Sequence, residues 1–277
     1  MHILFPTDFS DAAENAFVYA LQMAKAKGSS IVTLHAYELP DIRGVSLPNT
    51  LRHIYDSISL EEFENYKDSI PALRAIADRE NAKDVEMSHV LQQGEPVTAI
   101  LNAIRANHID LVIMGTTGAG MIKEMFLGSV AAEIMENADV PVLAIPIGAK
   151  FDGGIDKIAV TTELLDEDER ALPKVVGFAQ IFGAKVSCVN ADISHTARYS
   201  HRVDDFRKKF PEVEFHVLDS LDIEASVKAF VRNHKIDILA MLIHKRSRLQ
   251  EMFTYSMTKR FAYHLRTPIL AIQAHTL

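Results

Sequence analysis

A glycine-containing segment at residues 114–129 has the residue types of an anion-binding loop. In the sequence MGTTGAGMIKEMFLGS, an apolar run ends at Met114, and a stretch of small residues typical of a helix start follows Gly128-Ser129. Glycines adopt positive φ angles and let ligand oxygens reach main-chain N–H groups. The first amides of a helix lack partners within the helix and lie at the positive end of its dipole. The segment therefore predicts a phosphate site, and a nucleotide is the ligand that we expect.

A second polar group follows the first apolar run of the chain, at Pro6-Thr7-Asp8. Asp8 could accept hydrogen bonds from ribose hydroxyls or an adenine amine, or it could cap the helix that begins near Asp11. Ser10 and Asp11 could also serve as caps, so both interpretations of Asp8 stay open. Ala36, at the end of the second apolar run, leaves room for a planar base.

Four further features bear on chemistry, and none predicts a catalytic or metal-binding residue. Lys123 lies in the glycine segment, but the G-x4-GK-[ST] order is absent, which disfavours a conventional P-loop ATPase. Twelve histidines are scattered without HxH or HExxH spacing. The acidic run at 163–169 could bind a cation, but acidic residues before a helix complement its dipole, which is the interpretation that we prefer. For the basic run at 244–248 we prefer a solvated loop cluster to an anion site.

The length and net charge of the chain limit the classes of protein to which it can belong. A chain of 277 residues is long enough for two domains. The net charge of −8 disfavours general binding to nucleic acid or to anionic membranes, and no stretch reaches about 18 apolar residues. We expect a cytoplasmic protein. The single cysteine, Cys188, lies in an apolar run and is predicted to be a core thiol.

The two halves of the chain repeat one sequence pattern. Residues 123–126 (KEMF) and 141–145 (PVLAI) match residues 250–253 (QEMF) and 268–272 (PILAI) at a common offset of 127. Each half alternates short β-branched runs with longer helical patterns, which is typical of a parallel sheet covered by helices. We place the boundary near residue 150, at Asp152-Gly153-Gly154, and predict domains at 1–150 and 151–277.

Each half is predicted to form an α/β domain with a five-stranded parallel sheet of order 3-2-1-4-5 and helices on both faces. The predicted strands lie near residues 2–7, 30–37, 85–91, 110–115 and 141–146, and then 156–161, 184–190, 213–218, 236–242 and 268–273. Ligands of such sheets bind at the switch point, here between the first and fourth strands. The switch point brings Asp8 close to Met114 and Gly115. The connections at 38–60 and 191–200 lack clear periodicity and could be flaps over the site, but we prefer surface loops that lead into helices.

With Pro6-Thr7-Asp8 after the first strand and G-x2-G-x9-G-S at 115–129 after the fourth, the chain resembles the universal stress protein family. Its ATP-binding members carry G-x2-G-x9-G-[S/T]. The resemblance covers both halves as a tandem pair and implies Rossmann-like domains of the adenine nucleotide alpha hydrolase type. Ala36 replaces a valine that is common in the family. By this resemblance, the predicted ATP-binding residues are Pro6, Thr7, Asp8 and Ala36 at the adenosine end, Met114 and Gly115 near the base and ribose, and Gly118, Gly128, Ser129 and Val130 at the phosphates.

The second copy departs from the pattern at the glycines. Leu242, Lys245 and Tyr255 stand where the first copy has Gly115, Gly118 and Gly128, although Ser256 is kept. Larger side chains remove the backbone access that a phosphate loop needs. The second domain is therefore predicted to be degenerate and to leave one nucleotide per chain.

Three functions remain open. The first is a stress-response module that binds ATP in the N-terminal domain, with Mg²⁺ on the phosphates, and senses or signals nucleotide occupancy. The second is a slow ATP hydrolase or a nucleotidyl- or phosphoryl-transfer enzyme, with Asp8 and Ser129 as its only nearby polar groups. The third is a scaffold whose C-terminal domain binds a protein or an apolar ligand. The resemblance also implies that the fifth strands at 142–145 and 269–272 pair the two copies into an intramolecular pseudo-dimer, and a homodimer is possible.

Overall fold

The structure is a computed structural model that describes residues 1–39, 48–116, 128–192, 197–219, 222–244 and 266–274. The first half contains five strands and four helices in alternation. In chain order they are β1 (His2–Pro6), α1 (Asp11–Lys27), β2 (Ser30–Tyr37), α2 (Pro48–Arg79), β3 (Met87–Gln93), α3 (Pro96–Ala106), β4 (Leu111–Gly115), α4 (Ser129–Asn137) and β5 (Val142–Ile145).

The second half repeats this order in the described residues. Its elements are β6 (Lys157–Thr161), α5 (Asp166–Gln180), β7 (Lys185–Asp192), α6 (Ala197–Lys209), β8 (Glu214–Asp219), α7 (Ile223–His234), β9 (Ile238–Ile243) and β10 (Ile269–Gln273). The predicted boundary near residue 150 lies in the connection between β5 and β6.

The ten strands within the described residues form one continuous sheet of order β3-β2-β1-β4-β5-β10-β9-β6-β7-β8. Each half has the order 3-2-1-4-5 with parallel neighbours, as predicted. The two halves join through β5 and β10, which pair antiparallel with Ile269 opposite Ala144 and Ala271 opposite Val142. This register confirms the predicted pairing of the fifth strands. The two predicted five-stranded sheets are therefore not separate, because the edge strand β5 of one half pairs with the edge strand β10 of the other.

Local sequence signals explain where the first helix begins and ends. The side chain of Ser10 accepts a hydrogen bond from the amide of Ala13, so Ser10 is the N-cap of α1. At the other end, Gly28 adopts a left-handed conformation with φ of 63° and donates its N–H to the carbonyl of Ala24. Between these caps, one side of α1 is buried against the sheet. The helix therefore holds the β1–α1 turn firmly against the ends of the strands.

Apolar side chains pack on both faces of the sheet and run through both halves. On one face Ile3, Phe5 and Ile113 pack with Phe17 of α1, and the same buried cluster continues to Ile158 in the second half. On the other face Leu4 and Val112 pack with the helices α3 and α4. Burial of both faces agrees with the near-continuous hydrophobic runs of the strands. Cys188 is buried in the first of these clusters, which confirms that it is a core thiol.

One connection differs from the prediction. The preferred prediction for the segment 38–60 was a surface loop that leads into a helix. The helix α2 begins at Pro48, earlier than expected, and continues to Arg79, while residues 40–47 lie outside the described part. Proline suits the first turn of a helix, where its missing N–H has no partner to lose. The second doubtful segment, 191–200, contains the end of β7 and the start of α6, and residues 193–196 lie outside the described part. Among the helices that the structure describes, none is long and apolar enough to cross a membrane.

Candidate functional site

A cavity of about 390 Å³ lies at the carboxyl ends of the strands, where β1 and β4 are neighbours. This is the predicted switch point. Nine of the ten predicted ATP-binding residues line the cavity, and Gly118 lies outside the described residues. The nine are Pro6, Thr7, Asp8, Ala36, Met114, Gly115, Gly128, Ser129 and Val130. The fold thus brings together three segments that are far apart in the sequence.

One side of the cavity is apolar and follows the strand ends. Leu34 and Ala36 of β2 lie there beside Met114 of β4, and α3 contributes Pro96 and Ile100. Met114 is 6% exposed, so it belongs to the core and also contributes to the lining. Alternating residues of a strand point to the same face, which explains why Leu34 and Ala36 are both in this lining. A wall of this kind suits the faces of a planar ring.

His35 lines the same cavity and fixes the turn after β1. Its Nδ1 lies 2.8 Å from the carbonyl oxygen of Thr7, so Nδ1 carries the proton and donates. The imidazole ring packs against Phe9, at 5.2 Å between centroids, and against Tyr66 of α2, at 6.0 Å, and the rings of Phe9 and Tyr66 lie 5.7 Å apart. Its Nε2 lies 3.9 Å from Oε2 of Glu62. The ring is therefore held on several sides, and it holds the Thr7 carbonyl in turn.

The carboxylate of Asp8 accepts hydrogen bonds from Ser10, the N-cap residue of α1, but Asp8 is not itself the N-cap. Its Oδ1 accepts hydrogen bonds from the amide and the hydroxyl of Ser10, at 3.1 and 2.7 Å, while Ser10 caps α1. The carboxylate of Asp8 is exposed and contributes to the cavity lining. The two interpretations of Asp8 left open by the sequence are thus partly combined: the residue supports the cap and also presents its carboxylate to the cavity.

The start of α4 contributes polar groups to the cavity lining. Gly128 is the N-cap, and no side chain among the described residues caps its first turn. Ser129 is exposed, and Thr116 adds a second hydroxyl to the lining. The amide of Gly128 donates to the carbonyl of Thr116, which joins the two ends of the segment 117–127 that lies outside the described residues. The amides and dipole of α4 therefore favour an anion at this end.

The lining carries little positive charge of its own. Among the lining residues that the structure describes, none is Lys or Arg, and Asp8 contributes a carboxylate. A polyphosphate at this end would be held by N–H groups and hydroxyls, and its remaining charge would require a cation. Elsewhere in the described residues, no group of three or more His, Cys, Asp or Glu side chains could hold a metal ion.

The equivalent crevice of the second half contains a buried ion pair. Asp168 and His244 have side chains only 1% and 3% exposed, and Nε2 of His244 lies 2.5 Å from Oδ1 of Asp168. Burial alone would raise the pKa of Asp168, but the hydrogen bond and charge of His244, with the hydrogen bonds from Thr162 and Leu165, hold this pKa below its ordinary value. The expectation that His244 belongs to a solvated cluster was therefore wrong, and residues 245–248 lie outside the described part.

The sequence reasoning missed both members of this pair. Asp166, Glu167, Asp168 and Glu169 do lie in the first turn of α5, as the interpretation of a dipole-complementing run predicted. The offset of 155 between β1 and β6 places Asp168 at the position of Ala13, and the offset of 127 places His244 two residues after the equivalent of Gly115. The repeat could therefore have indicated this pair, because the two offsets place an acidic residue and a histidine at the switch point of the second half. The sequence reasoning also left out His35, Thr116 and the α3 residues of the first cavity.

Comparisons with known proteins agree with the fold. A sequence model of the universal stress protein family matches residues 1–146. A universal stress protein of Thermus aquaticus is 34% identical over 145 residues, which cover 52% of this chain and 96% of that protein. A universal stress protein of Methanocaldococcus jannaschii is 29% identical over 150 residues, covering 52% and 93%.

Similarity in structure extends over both halves. The crystal structure of a universal stress protein from Archaeoglobus fulgidus DSM 4304 superposes with a TM-score of 0.71 at 20% identity, covering 98% of this chain and 96% of that one. A structure described as a putative universal stress protein from Pseudomonas aeruginosa UCBPP-PA14 gives 0.67 at 14% identity, covering 98% and 92%. At these identities the likeness concerns the fold alone. The family match over residues 1–146 is what decides the assignment: the chain belongs to the universal stress protein family.

Proposed function

We propose that the first domain binds ATP in the switch-point cavity, with Mg²⁺ on the phosphates, and that the protein is a stress-response module that senses nucleotide occupancy. The observation that carries the proposal is the convergence of nine predicted residues on one cavity of about 390 Å³. This volume is within the range of about 300–1,000 Å³ that is usual for ligand sites.

The two ends of the cavity differ in chemistry in the way that ATP requires. Leu34, Ala36 and Met114 provide apolar surface for the base, while Asp8 presents a carboxylate that can accept from ribose hydroxyls. At the other end, the first turn of α4, which no described side chain caps, and the hydroxyl of Ser129 provide donors for phosphate oxygens. Because the described lining lacks Lys and Arg, we expect binding to depend strongly on Mg²⁺.

The test is the affinity for ATP, measured by isothermal titration calorimetry on the full chain with and without Mg²⁺. Ala36→Phe fills the apolar side of the cavity and is expected to weaken ATP binding by more than about tenfold, which is about 1.4 kcal/mol. Ala191→Phe, at the equivalent position of β7, is the matched control and should leave the affinity unchanged. Wild-type protein that binds no ATP, or an equal loss from both substitutions, contradicts the proposal.

A single-turnover assay separates this function from slow hydrolysis. The only carboxylate in the described lining is that of Asp8, whose Oδ1 is already engaged by Ser10. We therefore expect bound ATP to be recovered intact. Hydrolysis that is abolished by Asp8→Asn, with binding retained, would favour the enzyme instead.

A further inference from the structure

We propose that the second domain contains an anion-binding site that is occupied by the chain's own Asp168 carboxylate. Four donors converge on this one group. Oδ2 accepts from the hydroxyl of Thr162 at 2.9 Å, from the amide of Glu163 at 2.8 Å and from the amide of Leu165 at 3.2 Å. Oδ1 lies 2.5 Å from Nε2 of His244.

The place of this carboxylate in the fold links it to the ligand cavity of the first domain. The strands β1 and β6 and the helices α1 and α5 begin at a constant offset of 155 residues. At this offset Asp168 corresponds to Ala13, which lines the first cavity. The small side chain of Ala13 leaves the first crevice open, whereas the longer side chain of Asp168 reaches the turn after β6.

The turn itself is the same in both domains, so the cradle belongs to the fold. Phe9 and Leu164 both have φ of 58°, and each donates its amide to the hydroxyl of the threonine two residues before it. His35 and Asn190, also 155 residues apart, each donate to the carbonyl of that threonine, Thr7 or Thr162. In the first domain the amide of Ser10, the equivalent of Leu165, donates to Asp8 in the turn itself. What distinguishes the second domain is that the accepting carboxylate comes from the helix, at Asp168, and has His244 beside it.

Burial explains why the cradle must be a good anion site. A carboxylate that is 1% exposed loses nearly all of its hydration, and this loss is tolerated only when charge and hydrogen bonds replace the water. Nε2 of His244 provides one partner, and Thr162 with two main-chain amides provides the other donors. If the Asp168 side chain is shortened, these donors should accept a free carboxylate of the same size.

Chemical rescue tests this inference on the full chain. Asp168→Ala removes the carboxylate and keeps Cβ, so the space left fits formate. Asp168→Gly removes the methylene group as well, so the space left fits acetate. We expect formate to raise the Tm of Asp168→Ala by about 3–6 °C at ten times its Kd, and acetate to be the better ligand of Asp168→Gly. Sodium chloride at equal ionic strength is the control.

Two further proteins make the outcome decisive. Wild-type protein should show no saturable response to either anion, because its cradle is filled. Addition of His244→Gln to Asp168→Ala should weaken the formate response by at least about fivefold in Kd. If Asp168→Ala is unfolded, the measurement becomes the recovery of native circular dichroism with formate.

A formate effect that does not saturate, that wild-type protein shares or that is independent of His244 would overturn the inference. So would a variant that formate cannot refold. The inference does not rest on ATP binding by the first domain, since both anions act at the other crevice and no nucleotide is present in the experiment.

Discussion

A Cβ atom on Gly115 would lie 3.0 Å from the carbonyl oxygen of Ala12 and 3.1 Å from its carbonyl carbon. These are backbone atoms of α1, so they cannot move aside as a flexible side chain would. The glycine at the end of β4 therefore has a packing role, because it lets α1 approach the strand. Leu242 stands at the equivalent position of β9, where α5 faces a full side chain.

Gly115→Ala should destabilise the protein by about 1–3 kcal/mol, because the added methyl group pushes α1 away from β4. Gly177→Ala is the matched control: its Cβ would meet no atom within 4 Å, and alanine is the better helix former by about 0.5–1 kcal/mol. Urea unfolding of both variants measures the difference. If the two variants have the same free energy of unfolding, α1 can accommodate a methyl group at residue 115 beside the Ala12 carbonyl, which would contradict the prediction.

His35→Ala should weaken ATP binding by about 2- to 10-fold, because the Thr7 carbonyl loses its donor and the turn after β1 loses a fixed position. Asn190→Ala removes the equivalent hydrogen bond, 2.6 Å long, to the Thr162 carbonyl in the second domain. The second substitution should lower stability but leave ATP affinity within about twofold. Calorimetric titration of both variants checks the pair, and a matching loss of affinity in Asn190→Ala would contradict the assignment of the site.

Acid should remove the stabilisation that Asp168 provides. Because its pKa is held below the ordinary value of 3.8, the contribution is fully present above that value and is lost as the pH falls through the lower folded value. Asp168→Asn should cost about 3–5 kcal/mol near neutral pH, since it leaves His244 without its carboxylate. Urea unfolding as a function of pH should show the gap between wild type and variant shrinking below pH 3.8. A gap that stays constant would contradict the lowered pKa.

Gln273 connects the two domains through α4. Its amide Nε2 donates to the carbonyl oxygens of Met135 and Glu136, both at 2.9 Å, near the end of this helix. Gln273→Met keeps the length of the side chain but removes the donors, and should cost about 1–3 kcal/mol because two carbonyls lose a hydrogen bond, one of them buried. Gln180→Met, on an exposed residue at the end of α5, should stay within about 0.5 kcal/mol in the same thermal unfolding measurement.

Cys188 should be protected from thiol reagents in the native protein. Burial, and then the charge of Asp168, raise the pKa of its thiol, so little thiolate is available. We expect an aromatic disulfide reagent to label one thiol per chain in urea and to react at least about 100-fold more slowly without it. Rapid labelling of folded protein would show that the core around β7 opens readily.

The fold could be predicted from the sequence because its signals are local and are given twice. The apolar runs that begin at Pro141 and Pro268 are separated by the common offset of 127 residues. A strand predicted in one half is therefore supported by the equivalent strand in the other half. The strand ends follow the prediction closely, as at β1, β4 and β10. The early start of α2 was missed because Pro48 is typical both of a loop and of a first helical turn, and sequence alone does not distinguish the two.

The candidate site could be predicted only where its residues form a continuous pattern. Pro6, Gly115 and Ser129 belong to short motifs that follow predicted strands, and the fold places them at one cavity. The pair of Asp168 and His244 joins residues 76 positions apart, and neither residue type is unusual in its own segment. The packing of Gly115 on Ala12 was also hidden, because a glycine near a ligand site has an obvious second explanation.

The antiparallel join of β5 and β10 has a genetic consequence. In an assembly of two identical chains, every substitution is present in both copies. A side chain that fills the crevice of one copy therefore also fills the crevice of the other. Here the copies are covalently linked and stay paired at any dilution, because the link keeps their local concentration high. One gene can therefore place Asp168 and Leu242 in one copy while Ala13 and Gly115 stay in the other. Because both copies lie in one chain, the residues that line the two crevices can differ.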